Sequence, residues 1–251
     1  MAVSTAQRRA KTGGMMMERS VQEKIALGSR ILVMEGQGDF NLGHVSALDD
    51  DGRIWIKPAG IGQEEITAQD VIRIDHEGKV QEGSRKPHGE LPIHIGIYDA
   101  RPDVRAIVHT HPMYAIAFGA TGKKLQMLCH DSIVFYDALG YFDATADLLT
   151  VPEQGEWLAE ALGSGKAALM KNHGIVTVGK TVEEAVCLAI HLEKACRVQL
   201  LCGNDGVPID DATALKMRQD CDRTTAKRYS GFFEYEINKL ARAGMLPEAT
   251  F

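Results

Sequence analysis

The chain has 251 residues, 45% of them hydrophobic and 25% charged, with a formal net charge of −6. An acidic balance without a dense Lys/Arg face argues against binding to a nucleic-acid backbone and makes a small molecule the default partner. No break in composition marks two domains, and the length suits one large domain.

Residues 1–17 carry basic side chains but only a three-methionine apolar patch, too short for a signal-peptide core or a membrane span. They read as a flexible leader to a single domain over 18–251, and no membrane partner is expected. Over 18–35, Val21, Ile25 and Leu32 fall near one face, which predicts an amphipathic helix stopped by the loop GQGDFNLG. HVSAL and RIWIKPAG then read as two strands around the turn DDDG, with Ile54 and Ile56 on one side and Trp55 on the other. TAQDVIRID adds a short strand, and HEGKV a turn.

GELPIHIGIYDARPDV has Leu91, Ile95 and Tyr98 at helical spacing and is closed by Pro102, so Glu90 is expected in the first turn of a helix. Residues 106–111 read as a strand ended by Pro112, and 113–118 as a short helix. KAALMKNHGIVTVG looks like two paired strands around the turn-prone NHG. A long helix is expected over 182–201, opened by a Thr181–Glu184 capping box and closed before Gly203. The tail TAKRYSGFFEYEINKLARAG carries Tyr229, Phe232, Phe233 and Tyr235, aromatics suited to covering a site. Five cysteines, at 129, 187, 196, 202 and 221, show no paired metal-type spacing and read as reduced thiols of a cytoplasmic protein.

The chemistry concentrates in RAIVHTHP. Side chains two apart on a strand share a face, so His109 and His111 present both imidazoles to one ion. His173, at the NHG turn, is the leading third ligand, and three neutral nitrogens leave open positions, as in catalytic zinc sites. Glu90, in an apolar neighbourhood, suits a ligand or a proton carrier. Each also has an ordinary reading. His173 reads as a hydrogen-bonded core or surface residue, the His-Thr-His pair as satisfied core imidazoles, and Glu90 as a favourable charge at a helix start.

Read together, HGELPIHIGIYDARPDVRAIVHTHP, KNHGIVTVG and TVEEAVCLAIHLEKA resemble the class II aldolase/adducin family over roughly residues 20–240, with a Glu, then nineteen positions on a His-x-His, then an Asn-His-Gly. The resemblance implies an α/β fold, an αβα sandwich around a mainly antiparallel mixed sheet, assembled as a homotetramer with active sites at subunit interfaces. It implies one divalent metal ion per subunit, Zn2+ or Mn2+, held by His109, His111 and His173, with Glu90 as catalytic acid/base.

Sugar-phosphate aldolases of that family hold phosphate with Gly-Asn, Ser/Thr-Gly and Ser-Ser pairs. This chain has Gly43-His44, Ala59-Gly60 and His88-Gly89 at the matching places. Without the hydroxyls, a phosphate dianion loses donors it needs. A carboxylate is smaller and suits His44 and His88 with the backbone of the glycine loops. A similar pattern occurs in relatives that decarboxylate hydroxylated aromatic or pyridine carboxylic acids. Where the aldolases take a tyrosine from the neighbouring chain as proton donor, this chain has His130-Asp131, and His130 is a substitute donor or a core histidine.

The expected function is a metal-dependent carbon–carbon lyase acting on a small-molecule carboxylate, a decarboxylase of a non-phosphorylated hydroxyaromatic or heteroaromatic acid. Retro-aldol cleavage of a ketose phosphate uses the same metal chemistry and stays open. A metal-dependent isopeptidase fails at the downstream Ser and Asp, where Gly119 and Gly122 stand. An adducin-like assembly module is disfavoured by retention of the four candidate residues.

Overall fold

The computed structural model describes residues 19–247, so the expected leader over 1–17 lies outside the described residues. Helix α1 (Val21–Leu32) begins at a reciprocal cap. The Glu23 amide donates to Ser20 Oγ (3.2 Å) and the Ser20 amide to Glu23 Oε2 (2.7 Å), satisfying two of the free amides at the helix start. A π-type turn, Val33–Gln37, ends it, with Gly36 at φ 82°. The expected stop at the glycine loop therefore holds within two residues.

Eight strands form one sheet: β1 (His44–Leu48), β2 (Ile54–Ile56), β3 (Ile72–Ile74), β4 (Val80–Glu82), β5 (Ala106–Thr110), β6 (Leu139–Phe142), β7 (Ala167–Met170) and β8 (Gly174–Gly179). Their spatial order is β4-β3-β2-β1-β5-β8-β7-β6. Every pairing is antiparallel except β6 with β7. The helices are α2 (Leu91–Ala100), α3 (Met113–Ala120), α4 (His130–Ile133), α5 (Pro152–Leu162), α6 (Val182–Cys202) and α7 (Asp211–Arg242). This is the expected αβα sandwich.

Strand alternation builds the two cores. Val45, Trp55, Val108, Leu169 and Ile175 face one way, onto α1, α6 and α7. Ile54, Ile56, Ile107, Met170 and Val176 face the other, onto α2 and α5. Helices α2 and α5 meet through two glycines: a Cβ on Gly96 would stand 2.6 Å from the Gly155 carbonyl carbon, and one on Gly155 would stand 2.1 Å from the Pro92 oxygen.

Several expectations need correction. HEGKV turns, as expected, but leads directly into β4, and α4, β6 and α5 carry no expectation at all. At α6, Thr181 Oγ1 accepts from the Glu184 amide, as a capping box requires, but Glu184 Oε2 accepts from Lys180 rather than from Thr181. Along α2 the buried residues are Leu91, Ile93, His94, Ile97 and Tyr98, with Ile95 only half-buried. The aromatic tail lies within α7, where Tyr229 and Phe233 join the α1/α6 core while Phe232 and Tyr235 stay exposed. Within one protomer it covers α6 and not the histidine cluster. The five cysteines are free.

Candidate active site

Strands β1 and β5 pair so that His44 stands opposite His109, and β8 flanks the other side with Val176 opposite His109. Opposed residues share a face of the sheet. His44, Ser46, Ile107 and His109 therefore all look toward α2. His111 follows the last residue of β5, and the β7–β8 turn, with Asn172 at φ 58°, carries His173 beside it. The turn comes this close because Gly174 has no side chain: a Cβ there would stand 2.4 Å from the Thr110 carbonyl oxygen and 2.8 Å from the His111 ring.

Glu90, His109, His111 and His173 each offer one ligand atom, and these atoms lie within 4.8 Å of one another. Glu90 Oε1 is 3.4 Å from His173 Nε2, and Glu90 Oε2 is 3.7 Å from His109 Nε2. Outer partners set the direction of each ring. His109 Nδ1 donates to the Ile175 carbonyl oxygen (2.9 Å), and His111 Nδ1 to Asp39 Oδ2 (2.9 Å), which leaves both Nε2 atoms as bare lone pairs.

Those two lone pairs face each other at 3.0 Å, and both ring nitrogens of His173 are buried without a hydrogen-bond partner. Such an arrangement is unfavourable on its own and is resolved by a cation among the lone pairs. The residues fit a divalent metal ion. Burial, reinforced by the neighbouring imidazoles, holds His109 well below the usual histidine range and His173 at about 4, so both are neutral at physiological pH, as ligation requires.

Glu90 sits at the residue before α2 rather than in its first turn, and its carboxylate does not cap the helix. Oε1 instead accepts from the Leu149 amide (3.1 Å). Burial raises its pKa against the pull of that bond, the condition for holding a proton to deliver.

The candidate substrate residues divide. His44 is 1% exposed, its Nε2 4.0 Å from Glu90 Oε2, and its ring centroid is 4.5 Å from that of His88. Gly43 (φ 72°) and Gly60 (φ 77°) bend the flanking loops through conformations other residues rarely adopt. Ala59 does not offer its amide to a ligand, since that amide donates to the Lys86 carbonyl. Gly89 and His88 border a cavity of about 820 Å³ that runs along α2 and α5. His130 stands exposed at the start of α4, outside the cluster, while Asp131 pairs with His191 at 2.6 Å.

Sequence reasoning missed Lys57, which is completely buried. Its Nζ donates to the Asn41 and Pro58 carbonyls (3.2 Å each) and lies 3.5 Å from His88 Nε2. No carboxylate among the described residues pairs with it, and burial lowers its pKa to about 8. A lysine inside the apolar run RIWIKPAG was the available signal, because an unpaired buried ammonium is costly and asks for an anion. Lys57 also bears on His88, which burial and then the Lys57 charge hold at about 4. Asp39, His94 and Ser46 were likewise missed, and Tyr98 was read only as part of a helix face. No helix among the described residues is long and apolar enough to cross a membrane.

Comparison with known proteins agrees with this geometry. The chain is 34% identical over 207 residues to the Meiotically up-regulated gene 14 protein of Schizosaccharomyces pombe, covering 81% of this chain and 78% of that protein. It is 37% identical over 156 residues to the decarboxylase NovR of Streptomyces niveus, covering 61% of this chain and 58% of that protein. Among solved structures, the L-fuculose 1-phosphate aldolase from Glaciozyma antarctica PI12 superposes with a TM-score of 0.78 at 30% identity, over 88% of this chain and 90% of its own. The family model described as Class II Aldolase and Adducin N-terminal domain matches residues 23–200, and the chain belongs to that family.

Proposed function

We propose that this class II aldolase-family lyase decarboxylates a non-phosphorylated hydroxyaromatic or heteroaromatic carboxylic acid, with zinc or manganese held by His109, His111 and His173. It would act in the cytoplasm, which suits its free thiols, as a homotetramer with sites between subunits. The observation that carries the reading is the donor set beside the cluster: His44, His88 and the unpaired Lys57, where Ala59 and the glycines offer no hydroxyl.

A bound divalent ion would supply Lewis-acid stabilisation of the negative charge that develops on an oxygen beside the breaking bond. His44 and His88, backed by the Lys57 charge, hold and orient a carboxylate. The walls around Glu90, built from Leu91, Leu149 and the histidine rings, keep water away from the reacting carbon. As carbon dioxide leaves, the electron pair of the broken bond remains on that carbon and takes a proton from Glu90, the carboxyl group nearest the candidate ligands. His130, exposed on α4 and outside the cluster of its own chain, would act as a second donor in the site of a neighbouring protomer.

Lys57 also favours one other reading, retro-aldol cleavage of a ketose phosphate, because an ammonium binds phosphate as readily as carboxylate. One panel separates the two. Zinc- or manganese-loaded protein is incubated with hydroxyaromatic acids and with sugar phosphates, and carbon dioxide and aldehyde are both scored. Carbon dioxide from the aromatic set is the expected result; aldehyde from a phosphate ester alone overturns it.

A further inference from the structure

A file of polar groups leads away from the cluster into the layer between β1 and α2, buried throughout: His44 at 1%, His94 and Ser46 at 0% and Tyr98 at 6% exposure. His44 Nδ1 is 2.6 Å from His94 Nε2, His94 Nδ1 is 2.6 Å from Ser46 Oγ, and Ser46 Oγ is 2.7 Å from the Tyr98 hydroxyl. Among the described residues no carboxylate lies within hydrogen-bonding distance of either ring, so each is a neutral imidazole with one N–H.

With one proton per ring, the file has two directions. Outward, Tyr98 donates to Ser46, Ser46 to His94 Nδ1, His94 Nε2–H to His44 Nδ1, and His44 keeps its proton on Nε2. Inward, every bond is reversed and the Tyr98 hydrogen is left over. Ser46 is the only hydrogen-bond partner the Tyr98 hydroxyl has among the described residues, so the inward direction strands a buried donor. The outward direction instead puts the surplus hydrogen on His44 Nε2, where an anionic oxygen entering the cluster can accept it. It ends at His44 Nε2, a buried atom with no partner, 4.0 Å from Glu90 Oε2 and aimed at the centre.

We infer that Tyr98, Ser46 and His94 are positioning residues that lock His44 as the Nε2–H tautomer, making it a donor to an anionic oxygen of the substrate and not a fourth metal ligand. A ring nitrogen that carries hydrogen has no lone pair for a cation. This accounts for His44 standing opposite His109 on the same face without joining the three ligating imidazoles. That the oxygen belongs to a carboxylate rests on the function proposed above; the proton arrangement does not.

The test reads ring nitrogen-15 shifts of metal-free, histidine-labelled full-length protein, with His44 assigned by its loss in His44→Asn. Wild type is expected to show hydrogen on Nε2 and a bare Nδ1. Ser46→Ala removes the hydroxyl that fixes the direction, so both His44 tautomers become populated. The apparent Kd for 4-hydroxybenzoate, measured by calorimetry on zinc-loaded protein, then rises at least about twofold, as the donor-competent fraction falls. Ser46→Thr restores both readings, and zinc stoichiometry is the same in all three proteins. Hydrogen on His44 Nδ1 in wild type overturns the inference, as does an unchanged tautomer ratio in Ser46→Ala; if that variant fails to fold, the wild-type spectrum decides alone. A wild-type Nε2–H together with aldehyde release from a sugar phosphate would sink the decarboxylase reading and leave the hydrogen-bond file standing.

Discussion

Replacing Lys57 by methionine should strengthen the fold and weaken substrate binding together. The Lys57 ammonium is buried without a carboxylate, and its pKa falls from 10.5 to about 8. At neutral pH that depression corresponds to about 3 kcal/mol of destabilisation carried by the charged form. Methionine has a similar stem and removes this cost, while the Asn41 and Pro58 carbonyls lose a donor, which returns about 1–2 kcal/mol. A net gain of about 1–2 kcal/mol follows, or roughly 2–8 °C in Tm for a chain of this size. Between pH 8 and 10.5 the unfolded wild-type chain binds more protons at this position than the folded one, so wild-type stability rises with pH through that window and the variant lacks the rise. Binding moves the other way, since losing a charged donor costs about 1.5–3 kcal/mol, a roughly 10- to 150-fold increase in Kd for 4-hydroxybenzoate. Thermal unfolding and calorimetry on the same preparations check both. A lower Tm, or an unchanged Kd, refutes the idea that Lys57 is an anion-binding charge held at the expense of stability.

Glu90→Gln should retain metal and lose roughly 10²- to 10⁴-fold in kcat, the usual worth of a positioned proton carrier; a loss below tenfold would remove Glu90 from that role. Asp39→Asn should weaken metal binding by roughly 10- to 100-fold through disorientation of His111, and His173→Ala by more, as seen in equilibrium dialysis against zinc. Acidification should destabilise the metal-free protein: His173 and His88 fold with pKa values of about 4, so their contribution is intact above about pH 6.5 and is lost as pH falls toward 4, where the unfolded chain binds more protons. Chemical unfolding at stepped pH measures that slope, and a flat profile would contradict it. Gly155→Ala forces a Cβ to 2.1 Å from the Pro92 oxygen and should cost at least about 1–3 kcal/mol, with kcat falling as α2 shifts; a thermally neutral variant would show that the helices separate freely.

The candidate ligands drew attention through local signals. His109 and His111 obey a period of two on a strand bounded by Pro112, and the Asn-His-Gly turn marks His173, but each kept an ordinary reading until the resemblance to the family joined them as candidate ligands. Helix α1 announced itself by its apolar spacing, its Ser20–Glu23 cap going unnoticed, and α6 by its Thr181 cap, of which only the Thr181 Oγ1–Glu184 amide half forms. Helix α5 went unread because Gly155 interrupts its pattern, and the reason for that glycine, the backbone of α2 pressed against it, is a tertiary fact. Strand β6, LGYF, is short, contains a glycine and pairs with a β7 that arrives only after α5. Lys57 was visible as an oddity in an apolar run, but its missing counter-charge required coordinates.

The file from His44 to Tyr98 shows a pattern that sequence can carry once its geometry is known. Along a strand, residues two apart rise by about 6.6 Å; along a helix, residues four apart rise by about 6 Å. His44 and Ser46 on β1 thus keep step with Glu90 at the head of α2 and with His94 and Tyr98 on it, and the hydrogen bonds cross back and forth between the two elements with little mismatch. A helix stripe of Glu, His and Tyr at intervals of four would serve no amphipathic purpose, since two of its three members stay polar while buried. Its match in pitch to His-x-Ser on a strand is what joins these buried polar residues into one hydrogen-bonded file that ends beside Glu90.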